Sequence, residues 1–290
     1  MRVHLLDGTY ELFRHYFAVP KKQTADGAEV GALNGVLGSV LGMLEGGTTH
    51  IAVATDHVIE SFRNELWPGY KSSAGVPEDL LSQFWPLEAA LRAMGVVVWA
   101  MTDVEADDAL GSGAKLAAAD KHVEQVLICT PDKDVGQCVT GKRVVQFDRR
   151  KRELRDEDGV VAKFGVKPDS IPDYLALVGD SSDGFPGLQG WGPKSASTAL
   201  ARYGHIEAIP DSVTEWEVSF RGAPVLANTL RDNRDLAMLF KDLATLRTDA
   251  QLFDDVDELE WTAAVPSFTE LCDVLGAPEL ASRADALARR

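Results

Sequence analysis

Cysteine is scarce, with three among 290 residues (Cys129, Cys138 and Cys272). They are odd in number and lack metal-ligand spacing, which excludes a disulfide scaffold and points to a reducing compartment. Long hydrophobic runs are missing as well, so no stretch reaches the length of a membrane span. The opening MRVHLLDGTYELF is too short in apolar character for a signal peptide, and Asp7 interrupts it. A cytoplasmic protein is the expectation. No GxxxxGK[ST] loop is present, which leaves an NTPase without support. Positive charge is in short supply: 29 Lys and Arg stand against 45 Asp and Glu, a formal net charge of −16. A broad basic footprint for a polyanion is therefore excluded. Either the partner is not a nucleic acid, or many acids hold metal ions and the basic contacts are few and local. Hydrophobic residues make up 45% of the chain and charged ones 26%, a soluble globular balance at a length suited to one large domain or two unequal ones. There is no internal repeat and no long low-complexity linker.

Strand-like and helix-like stretches alternate through the first half. RVHLLD (2–7) ends on Asp7-Gly8, and a helix follows with Leu12, Phe13 and Phe17 as its apolar side. Residues 21–31 read as a loop with turn chemistry at Asp26-Gly27. ALNGVLGSVLGMLEGG is apolar at helical spacing and glycine-rich, which suits close packing. HIAVATD (50–56) is a second strand that also ends on an acid, Asp56. Positions 57–95 form an excursion in which Pro77 and Pro86 open two short helices, PEDLLSQFW and PLEAALRAM. VVVWA (96–100), VEQVLIC (123–129) and RVVQF (143–147) are further strands, the last followed by the basic run DRRKRELR. This alternation predicts an α/β fold with a parallel, doubly wound sheet. From about 166 the chain turns helical: GVKPDSIPDYLALVGD reads as a capped helix ending in acid. A glycine-rich turn then opens into a helix with Pro193 at its first position.

Ligands of such sheets bind beyond the carboxyl ends of the strands. Asp7, Asp56, the acids of VEADDAL (Glu105, Asp107 and Asp108), and Asp132 and Asp134 of TPDKD all stand just past a strand. Asp180 and Asp183 follow the capped helix. Like charges this close raise the cost of ionising one another unless cations sit among them. Taken alone, VEADDAL also reads as an acidic first helical turn favoured by the helix dipole. Recurrence at successive strand ends favours a shared acidic site. Carboxylates without His or Cys companions suit Mg²⁺ or Mn²⁺, and none of the six histidines falls in these motifs. There are too many acids for one ion. Two ions about 4 Å apart would fit an in-line attack of water on a phosphodiester.

Two other stretches carry candidate contacts. Gly187-Leu188-Gln189-Gly190-Trp191-Gly192-Pro193-Lys194, with Ser195 after it, places glycines, a helix start and a lysine where a phosphate backbone could approach. An ordinary helix–turn–helix corner is the alternative. Ser61-Phe62-Arg63 and Gly69-Tyr70-Lys71 could hold a terminal phosphate and stack a base, or could simply be solvated.

Together these motifs resemble the 5′ nuclease family, the flap endonucleases and the 5′–3′ exonuclease domain of bacterial DNA polymerase I. The resemblance runs through LLDGT…FR (5–14), DG…VGALNG (26–35), ATD…SFR…GYK (54–71), EADDAL, TPDKD, GDSSDGFPGLQGWGPKSA and DLATLRTD (242–249). It implies a PIN-like nuclease domain over 1–165, with a helical arch at about 57–95. A helix–three-turn–helix and C-terminal helical region that binds duplex DNA would occupy 166–290. With no polymerase region following, a free-standing nuclease is the expectation. Carried over by position, Asp7, Asp56, Glu105 and Asp107 would hold a first metal. Asp132, Asp134, Asp180 and Asp183 would serve a second, with Asp107 between them and Asp108 assisting. Lys71 and Arg63 would contact the scissile or terminal phosphate, Tyr70 would pack near the displaced base, and Arg14 would support the site. Gly187, Gly190, Trp191, Gly192, Lys194 and Ser195 would meet the duplex, and a K⁺ ion would sit at the 187–192 turn.

The chain also departs from that family's pattern. No Lys or Arg lies between Lys71 and Arg92, whereas Glu78, Asp79 and Glu88 do, which argues against a basic gateway for single strands. Trp191 replaces a smaller aliphatic residue, and Gly184 an asparagine. The expectation is a metal-dependent 5′ nuclease acting on DNA 5′ ends, flaps or nicks. A PIN-type ribonuclease and a non-catalytic DNA-junction binding protein are its rivals. Nothing in the sequence indicates an oligomeric state.

Overall fold

A computed structural model of the chain describes residues 1–289. The chain forms two compact units, each assembled from separate stretches. The first comprises Met1–Ile59, Ser73–Thr130 and the C-terminal part from Thr248; the second comprises Glu60–Ser72 and Pro131–Arg247. The 165/166 division expected from sequence lies inside the second unit.

In chain order, β1 (Arg2–Asp7), α1 (Gly8–Tyr16), α2 (Gly31–Glu45) and β2 (His50–Asp56) build the first unit. After α3 (Arg63–Leu66) in the second unit, the chain returns through α4 (Glu78–Leu81), α5 (Phe84–Ala93), β3 (Val97–Met101), α6 (Ala106–Ala119) and β4 (Gln125–Cys129). These strands lie side by side in the order β3-β2-β1-β4, every neighbouring pair parallel. A parallel strand has helices over both faces and so reads as a continuous apolar run. The wholly buried HIAVATD of β2 is such a strand. Because the strands run the same way, Asp7 and Asp56, which end β1 and β2, and Glu105, which follows β3, lie along one edge.

Sequence and structure differ at two places here. Phe17, expected on the apolar side of α1, is 73% exposed, since the helix ends at Tyr16 and the ring falls beyond its buried stripe. Helix α5 begins at Phe84 rather than Pro86. The first-turn amides have no intrahelical acceptor, so proline costs nothing there, and the earlier start places Trp85 on the helix.

In the second unit, β5 (Val144–Asp148) and β6 (Glu153–Arg155) form an antiparallel hairpin. The helices are α7 (Glu157–Phe164), α8 (Ile171–Val178), α9 (Pro193–Tyr203), α10 (Ala223–Asp232) and α11 (Arg234–Ala244). Their apolar faces share one core, with Phe185, Ile171, Leu177, Phe240 and Leu243 nearly or fully buried. The chain ends in the first unit with α12 (Ser267–Val274) and α13 (Pro278–Ala288).

Candidate metal centre and nucleic-acid interface

The acids of the first unit are placed by backbone geometry. Asp7 closes β1 and caps α1: its Oδ1 accepts the Tyr10 N–H at 2.8 Å and its Oδ2 accepts the Thr130 hydroxyl at 2.8 Å. Asp56 closes β2, and its Oδ1 accepts the Ala106 N–H at the start of α6, 2.7 Å away. Glu105 is the N-cap of α6, and Asp108 reaches back to accept the Glu105 N–H at 2.8 Å. VEADDAL is thus a helix start, yet a buried one: Glu105 is 4% exposed and Asp108 0%. Asp108 serves as half of a capping box, which explains its presence without a metal. Asp107, on the adjoining first-turn position, is partly buried. These hydrogen bonds orient the carboxylates.

The second unit presents a different arrangement. Asp134, Asp180 and Asp183 are all buried, and one carboxylate oxygen from each lies within 4.8 Å of the others. Asp180 Oδ1 accepts the Ser182 N–H at 2.9 Å, and Asp132 Oδ1 accepts the Asp134 N–H at 2.9 Å. Among the described residues, Oδ1 of Asp134 accepts no hydrogen bond although it is buried. Burial, followed by the charges of Asp132, Asp183 and Asp180, pushes the Asp134 pKa well above the ordinary carboxylate range, with Lys133 offsetting part of the effect.

Two lysines stand where cations are needed. Lys133 Nζ lies 2.5 Å from Asp180 Oδ2, and Lys71 Nζ lies 3.1 Å from Asp183 Oδ1. Burial disfavours the Lys133 charge, but its hydrogen bond to Asp180 and the nearby Asp134, Asp180 and Asp132 charges outweigh that and raise its pKa. Lys133 was not among the sequence candidates, although its place between Asp132 and Asp134 was the available signal. An orphaned buried oxygen, oxygen-only donors and lysines standing in as counter-charge fit a hard divalent cation.

The remaining candidates divide. Arg63 is 1% exposed, with Nε donating to the Leu243 carbonyl at 2.8 Å and Nη2 to the Thr245 carbonyl at 3.1 Å. Its guanidinium also lies 4.6 Å from the Phe62 ring centre. Arg63 thereby ties the SFR motif to DLATLRTD, and its burial corrects the expected phosphate contact. Tyr70 is buried in the same core, with Lys71 over its ring at 5.6 Å, so it shapes the lysine's setting instead of presenting a face to a displaced base. Arg14 donates to Glu11 and lies beside His15.

In the glycine turn, Gly187 has φ +68, and a Cβ there would strike the backbone of Leu177, Val178 and Gly179. It is a packing glycine against the end of α8, not an open approach for an anion. Trp191 is likewise buried, and its Nε1 donates to the Leu226 carbonyl at 3.3 Å. The expectation of DNA contact at Gly187 and Trp191 is corrected accordingly. Ser195 Oγ caps α9 by accepting the Gly192 N–H at 3.0 Å. Gly190 and Lys194 are exposed and Gly192 is partly so, which leaves them as the surface of the turn.

Comparison with known proteins decides the lineage. The 5′-3′ exonuclease N-terminal resolvase-like domain matches residues 2–165, and the 5′-3′ exonuclease C-terminal SAM fold matches 166–266. The chain belongs to the 5′-3′ exonuclease family. A 5′-3′ exonuclease of Buchnera aphidicola subsp. Baizongia pistaciae is 34% identical over 248 residues, 84% of this chain and 81% of that protein. DNA polymerase I of Pseudomonas aeruginosa is 38% identical over 260 residues. The chain spans only 28% and 25% of the length of that polymerase and of its Rhizobium leguminosarum counterpart. Among solved structures, zinc-bound T5 5′-exonuclease matches with TM-score 0.64 at 18% identity, covering 100% of this chain and 99% of the other. The catalytic core of Rad2 in complex with DNA substrate matches with TM-score 0.63 at 17% identity, covering 99% and 92%. At these identities the structural matches establish the fold.

Departures of this exonuclease-family chain now have physical reasons. Gly184 has φ +83, and a Cβ would run into the Gly69 carbonyl oxygen, so the close approach of the GYK turn to the Asp183 loop demands glycine. Asp79 is not a repulsive arch acid, because Lys21 and the Tyr16 hydroxyl pair with it. Glu88 is 2% exposed and points inward, which leaves Glu78 as the one exposed carboxylate of the three.

Proposed function

We propose that this chain is a divalent-metal-dependent 5′ nuclease that hydrolyses DNA phosphodiesters near 5′ ends, flaps or nicks in the cytoplasm. The observation that carries this reading is the buried triad Asp134, Asp180 and Asp183, with an oxygen of Asp134 left unsatisfied. Mg²⁺ or Mn²⁺ is the preferred class of ion, since every donor is a hard oxygen. Asp134, Asp180 and Asp183, with Asp132, would hold one ion. Asp7, Asp56, Glu105 and Asp107 would hold another, and Asp108 would fix the helix start that carries them. When bound, such ions lower the pKa of water and offset charge on the phosphate under attack. Lys71 and Lys133 would offset part of the cluster's negative charge, and Lys71 would offer its charge to a phosphate oxygen.

A local basic surface answers the net charge of −16. Arg149, Arg150, Lys151 and Arg152 occupy the β5–β6 turn. Burial and the crowding charges of Arg155 and Lys151 lower the Lys163 pKa nearby. Cations concentrated this way favour a polyanion. Gly190, Gly192 and Lys194 would meet the duplex backbone, and a K⁺ held at the 187–192 turn would add positive charge there.

The deciding experiment incubates purified protein with a 5′-flapped DNA duplex and a sequence-matched RNA, with Mg²⁺ or with EDTA. Metal-dependent cleavage of the DNA is expected. Cleavage of RNA alone would select a PIN-type ribonuclease, and tight DNA binding without cleavage would select a junction-binding protein.

A further inference from the structure

The segment between Lys71 and Arg92 lacks cations, but it exposes an aromatic ring instead. Trp85 on α5 is 63% exposed, unusual for a side chain of that size. It is nonetheless rigidly held. Its ring stacks on the His57 imidazole, with centroids 5.0 Å apart and planes 8° from parallel. Its Nε1 donates to the His57 carbonyl at 3.0 Å. His57 is fixed in turn, because its Nδ1 lies 2.9 Å from Glu88 Oε2, a carboxylate that makes Nδ1 the donor. Its backbone N–H donates to the Met101 carbonyl at 2.8 Å. Glu88 is buried and also accepts the Thr55 hydroxyl at 2.9 Å. The whole assembly lies within the first unit, and His57 directly follows the candidate metal ligand Asp56.

We propose that the Trp85–His57 stack is a platform for a nucleobase of the single-stranded 5′ arm beside the acidic site. One face of the indole is covered by His57, and a base stacking on the outward face would complete a three-ring pile. Stacking is tolerant of base identity and costs no charge, so it suits a stretch without lysine or arginine. Preorganisation by Glu88 means little ordering cost on binding. Because phosphate contacts release counterions and stacking does not, this contact should be insensitive to salt. The proposal rests on the nuclease reading above, which supplies the DNA strand.

The test measures metal-free binding in EDTA, by fluorescence anisotropy, of a labelled duplex with a 5′ single-stranded arm and of the same duplex without it, over a salt series. Trp85→Ala should lower affinity for the armed duplex about tenfold or more. The blunt duplex should be bound as before, and the slope of log K against log salt should not change. Trp85→Phe should recover most of the loss. In the unmodified protein, an arm of abasic nucleotides should show the same deficit, a measurement that needs no variant. Equal binding of abasic and normal arms, or a Trp85→Ala loss shared by the blunt duplex or varying with salt, would overturn the platform while flap cleavage by the unmodified protein kept the nuclease reading intact. A change in sedimentation on Trp85→Ala with unchanged arm binding would assign the ring to self-association and overturn it as well. If the unmodified protein neither binds nor cleaves any DNA, the platform and the nuclease reading fall together.

Discussion

Carboxylates of the first unit are held by the backbone, and those of the second face one another. Asp7 and Asp56 each accept a main-chain N–H, from Tyr10 and Ala106, before any cation is considered. Asp134 is buried with an unpartnered oxygen, and Lys133 and Lys71 pair with its neighbours Asp180 and Asp183. In sequence both groups are simply acids just beyond a strand or helix. The difference teaches that one set is preorganised by its caps, while the other is a stored electrostatic cost that a bound cation relieves.

The largest effect should come from removing a ligand of either set. Asp107→Asn and Asp183→Asn should each reduce metal-dependent flap cleavage by about a thousandfold or more, measured by gel assay under single-turnover conditions. Metal-free DNA binding by Asp107→Asn should be largely spared. A normal rate for either variant would mean that its set does not take part.

Stability in EDTA should separate the two sets by sign. Asp134→Asn removes a buried charge and should raise the melting temperature by several degrees, about 1–2 kcal/mol. Asp7→Ala strips the Tyr10 cap and the Thr130 partner and should lower stability by about 1–2 kcal/mol. Changes of the same sign in thermal melts would erase the distinction between the two sets. Adding Mg²⁺ should then stabilise the unmodified protein, by an amount set by concentration over Kd. Asp134→Asn should lose most of that gain; an equal gain would place the ion elsewhere.

Smallest is Lys194→Ala, which removes an exposed cation at the start of α9. It should weaken duplex binding modestly and reduce the magnitude of the salt slope by about 0.9, with chemistry at saturating DNA little changed. A slope identical to that of the unmodified protein would remove Lys194 from the phosphate contacts.

Much of this was legible in the chain itself. The strands HIAVATD and RVHLLD ended where their acids predicted, because apolar runs flanked by turn residues report local structure directly. Arg63 and Trp191 depart from the sequence expectation for a common reason. Each is a residue type that often meets ligands, and nothing local reveals that Leu243 and Thr245 carbonyls wait for the guanidinium or that the Leu226 carbonyl takes the indole N–H. Those partners lie far away in sequence. Gly187 reads in sequence as an open approach for a phosphate, whereas the backbone of residues 177–179 presses against it.

By itself, then, the sequence determined the parallel α/β alternation, the positions of the acids and the family, since periodicity and spaced motifs are local properties of a chain. Which carboxylates are caps and which are an unrelieved cluster was decided by tertiary structure alone. So were the inward turn of Glu88 and the outward face of Trp85. Burial and hydrogen-bond partners depend on segments that meet only after folding, and they determine whether a charge is a strut, a ligand or a cost.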